Sequence, residues 1–484
     1  MIMKKRLSLI ALMTGLTGAL MHPPLGAQTS MDTHSEPAIF SDQDLGVADQ
    51  LRTQGLQGNG GFDVVEELTT LIGPRLAGSP ADAKAVEWAK NYLENAGFDR
   101  VWLEPATFPT WHRNMEKATI TAPIEREMVT LALGFSPATP AGGVEAEVVM
   151  LDDYEALEAV DASEVEGKII FVRNRMERAR DGSGYGPAVR ARSLGARIAA
   201  EKGAVAYVIR SIGTSTNRFA HTGSQRFDVG VRSLPAVAIS NPDADQLERV
   251  MGLGEPVSMH IEVDAEFIEA YTSHNVIAEI TGSKYPEQVV AIGAHLDSWD
   301  VGTGALDDGA GIGIVTEAGR LINALDQRPD RSIHIIFFAA EEIGLWGGRA
   351  WAEKNKDNFH NIQVGAESDF GAGPIYEMTA HVSDEAKPVI RAIHQQLEPL
   401  GIAFGGWGGW GGPDFRPAGA YGLATIDLRQ DGGNYFDYHH TENDTLDKID
   451  PANMVQNATA YAVLAWLAAQ SPVSFGSGPE NMRQ

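Results

Sequence analysis

Two short apolar runs dominate the pattern of hydrophobic and polar positions along the chain. Residues 289–294 and 333–340 are rich in Val, Ile, Ala and Phe and contain no Asp, Glu, Lys or Arg. Such runs are typical of parallel strands that are buried on both faces. Residues 309–325 between them have the length and apolar spacing of a crossover helix. The pattern therefore predicts an α/β fold with an open, mixed but mainly parallel sheet that is flanked by helices.

Further elements are predicted on both sides of this unit. Ser79 is suited to cap a helix that has Pro80 at its first position and ends at Gly97. Other helices are predicted at residues 63–72, 387–400 and 451–469, and other strands at 101–103, 274–280, 363–366 and 423–428. Residues 29–61 are expected to form a loose arm with one short helix. Residues 405–412 are too rich in glycine for a regular element and are expected to form a loop.

The pattern of apolar and polar residues changes between residues 123 and 270. Short apolar runs alternate there with turns, and one helix is predicted at residues 188–202; the runs lie at 147–151, 168–172, 206–209 and 236–239. We interpret residues 123–270 as an inserted β-rich domain. Residues 28–122 would then be the N-terminal part of the parent domain, and residues 271–484 its remainder.

The insert is also rich in arginine. Its arginines either form a solvated charged face or reach over the cleft of the parent domain, and they are Arg173, Arg175, Arg178, Arg180, Arg190 and Arg192.

The first 27 residues have the three parts of a secretory signal peptide. Lys4-Lys5-Arg6 precede an apolar run at residues 7–20, and Leu25-Gly26-Ala27 supply small residues before Gln28. The alternative is an uncleaved N-terminal anchor, although the run is short for a bilayer span. No other stretch approaches 18 uncharged apolar residues. We therefore expect a protein that is exported, to a periplasm or a secreted location, and that has no membrane attachment after cleavage.

Composition and charge narrow the classes of function and of site. With 38 Lys and Arg against 65 Asp and Glu, the net charge of −27 argues against nucleic acid or an anionic membrane as partner. The chain contains no cysteine, so any metal site must be built from His, Asp and Glu. A chain of 484 residues exceeds one compact core, which favours two domains or one domain with an insertion. A homodimer is compatible with the sequence, which does not decide the oligomeric state.

Acidic and histidine side chains follow several of the predicted strands. His295 and Asp297 come after the first apolar run, Glu341 and Glu342 after the second, and Asp369 after a third strand. In open α/β sheets the ligand crevice lies at the carboxyl ends of the strands. These side chains are therefore expected to converge as a metal site at one edge of the sheet.

Asp307 and the pair His439-His440 lie in loops near these strand ends. Taken singly, each candidate has an ordinary structural alternative. Asp307 could cap the helix that follows it, and Glu342 could be an exposed carboxylate at a helix start. Asp369 could be a turn residue and either histidine a surface residue. The convergence of several strand ends weakens these alternatives.

Five short motifs contain these candidates: His295-Leu296-Asp297, Gly304-Ala305-Leu306-Asp307-Asp308-Gly309-Ala310-Gly311, Glu341-Glu342-Ile343-Gly344, Glu367-Ser368-Asp369 and His440-Thr441-Glu442-Asn443-Asp444-Thr445. In order and spacing they resemble the motif series of the M28 zinc exopeptidases. The resemblance covers roughly residues 63–470, and residues 295–311 are most similar to the carboxypeptidase Q branch of that family. The insert resembles the protease-associated domain of the same branch, with less specific motifs.

The resemblance implies a site with two zinc ions. By position, Asp307 would bridge the ions, His295 and Asp369 would complete one, and Glu342 and His440 would complete the other. Nitrogen and oxygen ligands suit zinc, and Co²⁺ or Mn²⁺ could substitute. Paired cations about 3.5–4 Å apart activate water and polarise the carbonyl that is attacked.

The resemblance also implies roles for the neighbouring residues. Glu341 would be the general base, and Asp297 would hold the His295 ring. His440 is preferred to His439 as the ligand because it stands four residues before Asp444, as the family's ligand does.

The expected substrate contacts are less specific. Many M28 aminopeptidases have a histidine after the aspartate in the loop where this chain has Pro413-Asp414-Phe415-Arg416. Asp414 is the aspartate of this loop and is kept as a candidate substrate contact, although no histidine follows it. Arg416 could bind a substrate carboxylate or be a surface arginine. Trp407 and Trp410 could wall a substrate pocket or plug the glycine-rich loop onto the core.

The sequence therefore predicts an exported dizinc exopeptidase that hydrolyses dipeptides or short peptides with a free terminus. An aminopeptidase for longer peptides is an alternative within the enzymes. A non-catalytic binding protein and an acyltransferase on the same fold are alternatives from other classes, and the complete ligand set argues against the former.

Overall fold

The structure is a computed structural model that describes residues 39–226 and 233–482. The predicted signal peptide, residues 1–27, lies outside the described residues. Every helix within the described ranges is too short or too polar to cross a membrane.

The strands of the described residues join into one mixed sheet. In chain order they are β1 Arg100–Ala122, β2 Arg126–Met128, β3 Thr130–Ala132, β4 Val144–Leu151, β5 Ile169–Val172, β6 Ala206–Arg210, β7 Ala236–Ile239, β8 Ser258–Ile280, β9 Tyr285–His295, β10 Arg331–Phe338, β11 Ile362–Glu367, β12 Ile375–His381, β13 Ala403–Trp407 and β14 Thr425–Gln430. Their order across the sheet is β13-β12-β14-β11-β9-β10-β8-β4-β5-β6-β7-β3, and β1 pairs with β8 and β2.

Helices cover this sheet. They are α1 Asp42–Gly55, α2 Phe62–Leu71, α3 Pro80–Asn95, α4 Tyr154–Ala159, α5 Ala162–Val165, α6 Tyr185–Glu201, α7 Asn241–Met251, α8 Ala310–Asn323, α9 Trp346–Asn355, α10 Lys387–Leu397 and α11 Pro451–Ala469. Ser79 caps α3 as predicted, since its hydroxyl accepts a hydrogen bond from the Asp82 N–H. The predicted α/β class with a mixed, helix-flanked sheet is confirmed.

The predicted strand–helix–strand unit forms the centre of the sheet. β9 runs parallel to β10 on one side and to β11 on the other, and α8 makes the crossover between β9 and β10. Ile292 and Ile335 belong to the core beneath α8 and α11, whereas Ala291 and Ile336 face the core around Trp351 of α9. Both faces of these strands are covered, which explains their uninterrupted apolar runs.

The N-terminal arm and the glycine-rich loop differ from the predictions. The segment expected to be a loose arm forms α1, whose Ala48 and Leu51 are fully buried against the core that contains α11. Within the predicted loop, Gly405–Trp407 belong to the edge strand β13, which pairs with β12 on one side only. An edge strand has a single ladder of hydrogen bonds, so glycines that would weaken a central strand are tolerated there.

The strands β1 and β8 connect the two parts of the chain that the sequence assigned to different domains. Each has 23 residues, and they pair antiparallel from Arg100 opposite Glu279 to Ala122 opposite Ser258. β8 crosses the expected boundary at residue 270. From β4 to β7 the strands of the expected insert run parallel, with α4 and α5 between β4 and β5, α6 between β5 and β6, and α7 after β7.

Candidate metal centre

Three neighbouring strands bring the predicted ligands to one edge of the sheet. β9 ends at His295, β11 ends two residues before Asp369, and the chain reaches Glu341 and Glu342 shortly after β10. Because these strands are parallel neighbours, their carboxyl ends lie side by side. The five residues expected as ligands meet there, with Asp369 half-buried and the other four buried.

Asp307 lies between two histidines. Its Oδ1 is 3.1 Å from His295 Nε2, and its Oδ2 is 3.4 Å from His440 Nε2. It stands in the short helical turn Ala305–Gly309 that precedes α8, and the Asp307–Asp308 peptide bond is cis. A carboxylate that offers one oxygen to each side suits a bridge between two cations.

Each histidine is accompanied by a second carboxylate. His295 Nε2 is 3.4 Å from Asp369 Oδ1, and His440 Nε2 is 2.9 Å from Glu342 Oε2. These distances place Asp369 beside His295 and Glu342 beside His440, with Asp307 near both histidines. Within residues 39–226 and 233–482, three clusters of side chains could hold a metal ion: Asp307 with His439 and His440, His295 with Asp308 and Asp369, and His295 with Asp307 and Glu342.

His439 and Asp308 are the two members of these clusters that were not expected as ligands, and His439 competes directly with His440. Its ring stacks on His440 with centroids 3.5 Å apart, and its Nε2 is 3.8 Å from Asp307 Oδ2. The geometry favours His440, which is closer to Asp307 and also contacts Glu342.

The residues at this centre fit divalent cations. Asp307 Oδ2 and Glu342 Oε1 are buried and accept no hydrogen bond from the described residues. Burial raises the pKa of Glu342 to about 7, and the charge of Asp307 adds to the shift. Burial would lower the pKa of His440, but Glu342 and Asp307 outweigh it and raise that pKa to about 9. Buried carboxylates with free oxygens are costly, and cations placed between them and the imidazoles remove that cost.

Asp297 differs in detail from its predicted role. His295 Nδ1 lies 3.0 Å from the backbone oxygen of Asp297 and 3.6 Å from its carboxylate. The carboxylate instead accepts the backbone N–H groups of Glu341 and Glu342, at 3.0 and 3.3 Å. Asp297 therefore connects the end of β9 to the loop after β10, while its main chain orients the imidazole.

Glu341 sits next to the ligands without a fixed partner. Its carboxylate makes no hydrogen bond or ion pair with the described residues, and burial raises its pKa well above the usual range. His295 opposes the shift, and Asp369, Glu342 and Asp414 add to it. A half-buried carboxylate that is free to accept a proton is what a general base requires.

Two groups that hold the centre were missed in the sequence. In the sequence, Asp444 was used only to choose between His439 and His440 by their spacing from it. In the structure its carboxylate accepts the N–H groups of Leu306 and Asp307 at 2.6 and 3.1 Å. Arg75 is fully buried and donates to backbone oxygens of residues 73, 296, 303 and 304. Both act on backbone groups of distant loops, and no spacing pattern in the sequence signals that.

The expected substrate residues are placed in different surroundings. Trp410 lines a cavity of about 290 Å³ next to Asp369, together with Phe370 and Tyr376. Trp407 is not among the lining residues, and its ring packs against Lys387 and Arg391 of α10. The glycine-rich loop turns above the cavity, and a Cβ at Gly412 would clash with Glu367.

Asp414 and Arg416 do not reach the cavity lining. Asp414 is fully buried and accepts the N–H of Gly348 in α9 at 3.2 Å. Arg416 is exposed at the start of the short helix Arg416–Tyr421, with no ion pair to the described residues. Asp414 is thus a support of the α9 start, and Arg416 is free at the surface.

Three arginines of the insert reach the loop that carries His440. Arg178 pairs with Asp437 at 2.5 Å, and Arg180 pairs with Asp431 at 2.8 Å. Arg192 is buried, and its Nη1 lies 3.4 Å from His440 Nδ1. The sequence left two interpretations of the arginine-rich segment, a solvated charged face or arginines that extend towards the cleft. The second interpretation describes these three residues.

Known proteins resemble the chain over most of its length. Residues 275–465 match the model of peptidase family M28. Carboxypeptidase Q of Mus musculus is 35% identical over 419 residues, which are 87% of each chain. The crystal structure of a peptidase M28 precursor from Shewanella amazonensis SB2B is 48% identical with a TM-score of 0.88, and the match covers 90% of this chain and 99% of that one. An aminopeptidase from Aneurinibacillus sp. strain AM-1 shares the fold at 23% identity, with a TM-score of 0.61 over 90% of this chain and all of that one.

Proposed function

The chain belongs to peptidase family M28 and is a zinc metallopeptidase, and from this premise we propose that it is a dizinc exopeptidase acting on dipeptides or short peptides. The observation that carries the proposal is the position of Asp307 between His295 and His440, each with its own second carboxylate.

The metal assignment follows the two groups of the ligand set. His295, Asp369 and one oxygen of Asp307 would hold the first zinc ion, and we call this the β9 position. Glu342, His440 and the other oxygen of Asp307 would hold the second, at what we call the insert-side position. When bound, the ions lower the pKa of water and polarise the scissile carbonyl.

Glu341 would move the proton of the reaction. Its carboxylate is free of other partners and lies beside the ligands, so it would take a proton from the attacking water and return it to the leaving amine. Glu341 and Glu342 are adjacent, and the hydrogen bonds from both N–H groups to Asp297 hold their backbone in place. One carboxylate can therefore ligate while the other stays available as a base.

The cavity beside Asp369 would receive the end of the peptide. Trp410, Phe370 and Tyr376 supply rings for a side chain, while Asp181 of the insert lies at its margin. Its acidic lining residues, Asp181, Glu367, Asp369 and Asp427, outnumber the one lining arginine, Arg429. Asp369 is a proposed zinc ligand and burial raises the pKa of Glu367, but the lining still offers more carboxyl acceptors than cationic donors. It therefore suits an amino terminus better than a carboxylate, so aminopeptidase action on longer peptides is the second candidate. Comparing free dipeptides with their N-blocked forms separates recognition of an amino terminus from recognition of a carboxyl terminus.

Export and assembly complete the proposal. The N-terminal residues have the composition of a signal peptide, which supports a periplasmic or secreted location. The division into a catalytic domain and a protease-associated-like insert at residues 123–270 is likewise proposed, as is a homodimer as one assembly state.

The direct test is metal content by elemental analysis of the purified mature chain, paired with dipeptide hydrolysis before and after chelation. We expect about two zinc ions per chain and hydrolysis that chelation abolishes and zinc restores. A chain that carries no metal and remains inactive with added zinc would instead support the binding-protein alternative.

The Glu341→Gln substitution tests the base. Because the amide cannot accept the proton but occupies the same volume, we expect both zinc ions to remain while kcat falls by about 10²–10⁴-fold. Glu353→Gln, at an exposed position of α9, is the matched control and should change neither the zinc content nor kcat. Full activity of Glu341→Gln would remove Glu341 as the base.

A further inference from the structure

The two proposed metal positions are supported by different parts of the chain. At the β9 position, the His295 N–H donates to Asp308 at 3.1 Å and the ring contacts the Asp297 backbone at 3.0 Å. The residue before Asp369 is held by β9, since the Ser368 N–H donates to the Gly293 oxygen at 2.9 Å. All of these contacts stay within residues 271–484.

At the insert-side position, both ligands are held by a segment of the insert, residues 220–225. The Ser224 hydroxyl donates to the Glu342 backbone oxygen at 2.8 Å. The Thr222 N–H donates to the His440 oxygen at 3.0 Å, and His440 Nδ1 lies 3.2 Å from the Thr222 oxygen. The His221 ring contacts the oxygen of His439 at 2.8 Å.

The contact of His440 Nδ1 with the Thr222 oxygen at 3.2 Å is shorter than its 3.4 Å approach to Arg192 Nη1, and we take the Thr222 contact to set which ring nitrogen can bind metal. A histidine that donates Nδ1–H to a carbonyl presents the lone pair of Nε2, and Nε2 is the atom that faces Glu342 and Asp307. His440 also has a φ of 60°, a left-handed conformation that non-glycine residues adopt only where their surroundings impose it. The hydrogen bond from Thr222 to the His440 carbonyl is part of those surroundings.

The 220–225 segment is in turn held mainly by the insert, and Arg113 of β1 adds a hydrogen bond to the Thr222 hydroxyl at 3.1 Å. Gly134 exchanges backbone hydrogen bonds with Gly223 and Gln225, and the Thr222 hydroxyl donates to the Ala132 oxygen. Gly223 has a φ of 135° and packs so closely on the buried Arg192 that a Cβ there would clash with the guanidinium. Any displacement of the insert would therefore move the groups that orient Glu342 and His440.

We propose that the 220–225 segment positions the ligands of the insert-side metal, so that occupancy of that position depends on the insert while occupancy of the β9 position does not. This inference rests on the proposed dizinc function. It gives the insert a role in assembling the metal centre, through Ser224, Thr222 and the close approach at Gly223.

Stepwise zinc affinity of the full chain tests the proposal, with zinc titrated into the metal-free protein in competition with a chromophoric chelator. Ser224→Ala removes the donor to Glu342, and Gly223→Ala pushes the segment off Arg192. Losing such an outer contact of a ligand costs about 10–100-fold in metal affinity. We therefore expect one binding step to weaken by that factor in either variant and the other step to stay unchanged.

Two further variants show whether the effect is one of positioning. Ser136→Ala is the matched control, because the Ser136 hydroxyl accepts the Ala236 N–H within the insert and has no contact with a ligand. Ser224→Thr keeps the hydroxyl and should restore the weakened step. Circular dichroism on each metal-free variant confirms that it is folded.

The possible outcomes distinguish a failure of this inference from a failure of the proposed dizinc function. If both steps weaken equally, if neither weakens, or if Ser136→Ala has the same effect as Ser224→Ala, positioning by the segment is overturned and the dizinc function stands. If the unaltered chain takes up fewer than two zinc ions, the dizinc assignment fails and this inference fails with it.

Discussion

Asp307 is the residue on which both metal positions depend. Its two oxygens face different histidines, and its backbone N–H is held by Asp444. Asp444 is fully enclosed, and burial raises the pKa of its carboxyl to about 7 against the hydrogen bonds from Leu306 and Asp307. The buried Arg75 donates to the backbone oxygens of Leu296 and Thr303, in the loop between β9 and Asp307. The carboxylate that we propose as the bridge is thus positioned by the side chains of Asp444 and Arg75, which are not among the proposed ligands.

The two adjacent histidines give opposite expectations for metal content. His440→Ala removes the nitrogen nearest to Glu342 and Asp307, so elemental analysis should show about one zinc ion where the unaltered chain holds two. His439→Ala removes a ring whose Nε2 is 3.8 Å from Asp307 Oδ2, and both ions should remain. The reverse result would make His439 the ligand.

At this scale the sequence predicted the residues whose chemistry is recognisable by type and spacing. His295, Glu342, Asp369 and His440 come together as expected because each follows a strand or lies in a loop at one sheet edge. Arg75 could not be predicted, since an arginine in a turn-rich loop has the same local pattern whether it is exposed or buried. Apart from the Gly73 oxygen, its partners are backbone oxygens more than 200 residues away along the chain.

At the scale of elements, the start of α3 carries a buried acid. Asp82 accepts hydrogen bonds from Gly78 N–H and the Ser273 hydroxyl, at 3.1 and 2.9 Å, and joins α3 to β8. Burial raises the pKa of Asp82 to about 6, against these two hydrogen bonds. The folded protein therefore holds this proton over a pH range in which the unfolded chain has lost it.

That shift gives a pH dependence with a definite sign. Between about pH 4 and 6 the folded state binds more protons at Asp82, so its contribution to the free energy of unfolding falls as the pH rises, by about 3 kcal/mol in total. Asp82→Asn removes this titration. Relative to the unaltered chain, the variant should gain thermal stability as the pH is raised from 4 to 7.

Differential scanning calorimetry at several pH values measures the effect, with Asp357→Asn at an exposed position of the loop after α9 as control. A constant difference between the melting temperatures of Asp82→Asn and the unaltered chain would contradict the assigned shift.

The edge of the sheet near β13 offers a test of substrate binding. Trp410 follows β13 in the glycine-rich loop, where the Asp427 carboxylate accepts its backbone N–H. Trp410 also lines the cavity beside Asp369. Trp410→Ala removes contact area that is present before and during the reaction, so KM should rise about tenfold with kcat nearly unchanged. Trp407→Ala is the control, because that ring packs on α10 and should leave KM unchanged. Equal effects of the two substitutions would place the substrate elsewhere.

Helices and strands could be predicted where one pattern of apolar residues continues along the whole element. The limits of α11 match the prediction at residues 451–469 because the apolar run has a proline at its first turn and Asp450 as its cap. β1 and β8 were recognised only in part. Their outer halves alternate between buried and exposed positions and contain irregular registers, so they lack the continuous apolar run of a central strand. The edge strand β13 was hidden by its glycines.

At the scale of the whole molecule, the candidate metal centre gathers acids from distant parts of a chain whose formal net charge is −27. Several acids at the centre are buried together, and burial raises the pKa of Asp308, Glu341 and Glu367 well above their usual range, with neighbouring negative charge adding to each shift. The same centre joins residues 220–225 of the insert to loops of residues 271–484. Cations there would relieve charge repulsion and connect the two parts of the chain.

Removal of metal should therefore lower the stability of the whole chain. A ligand that binds only the folded state stabilises it by about 4 kcal/mol per site when its concentration is 1,000 times its Kd. We expect chelation to lower the melting temperature by several degrees and zinc to restore it. Mg²⁺ should restore little, because imidazole nitrogen is a poor ligand for it. Scanning calorimetry with parallel elemental analysis measures both quantities. His440→Ala should start from a lower melting temperature and lose less on chelation, since one position is already empty. If the melting temperature stays constant while zinc falls from two ions to none, the centre contributes to catalysis alone and the insert is held by its protein contacts.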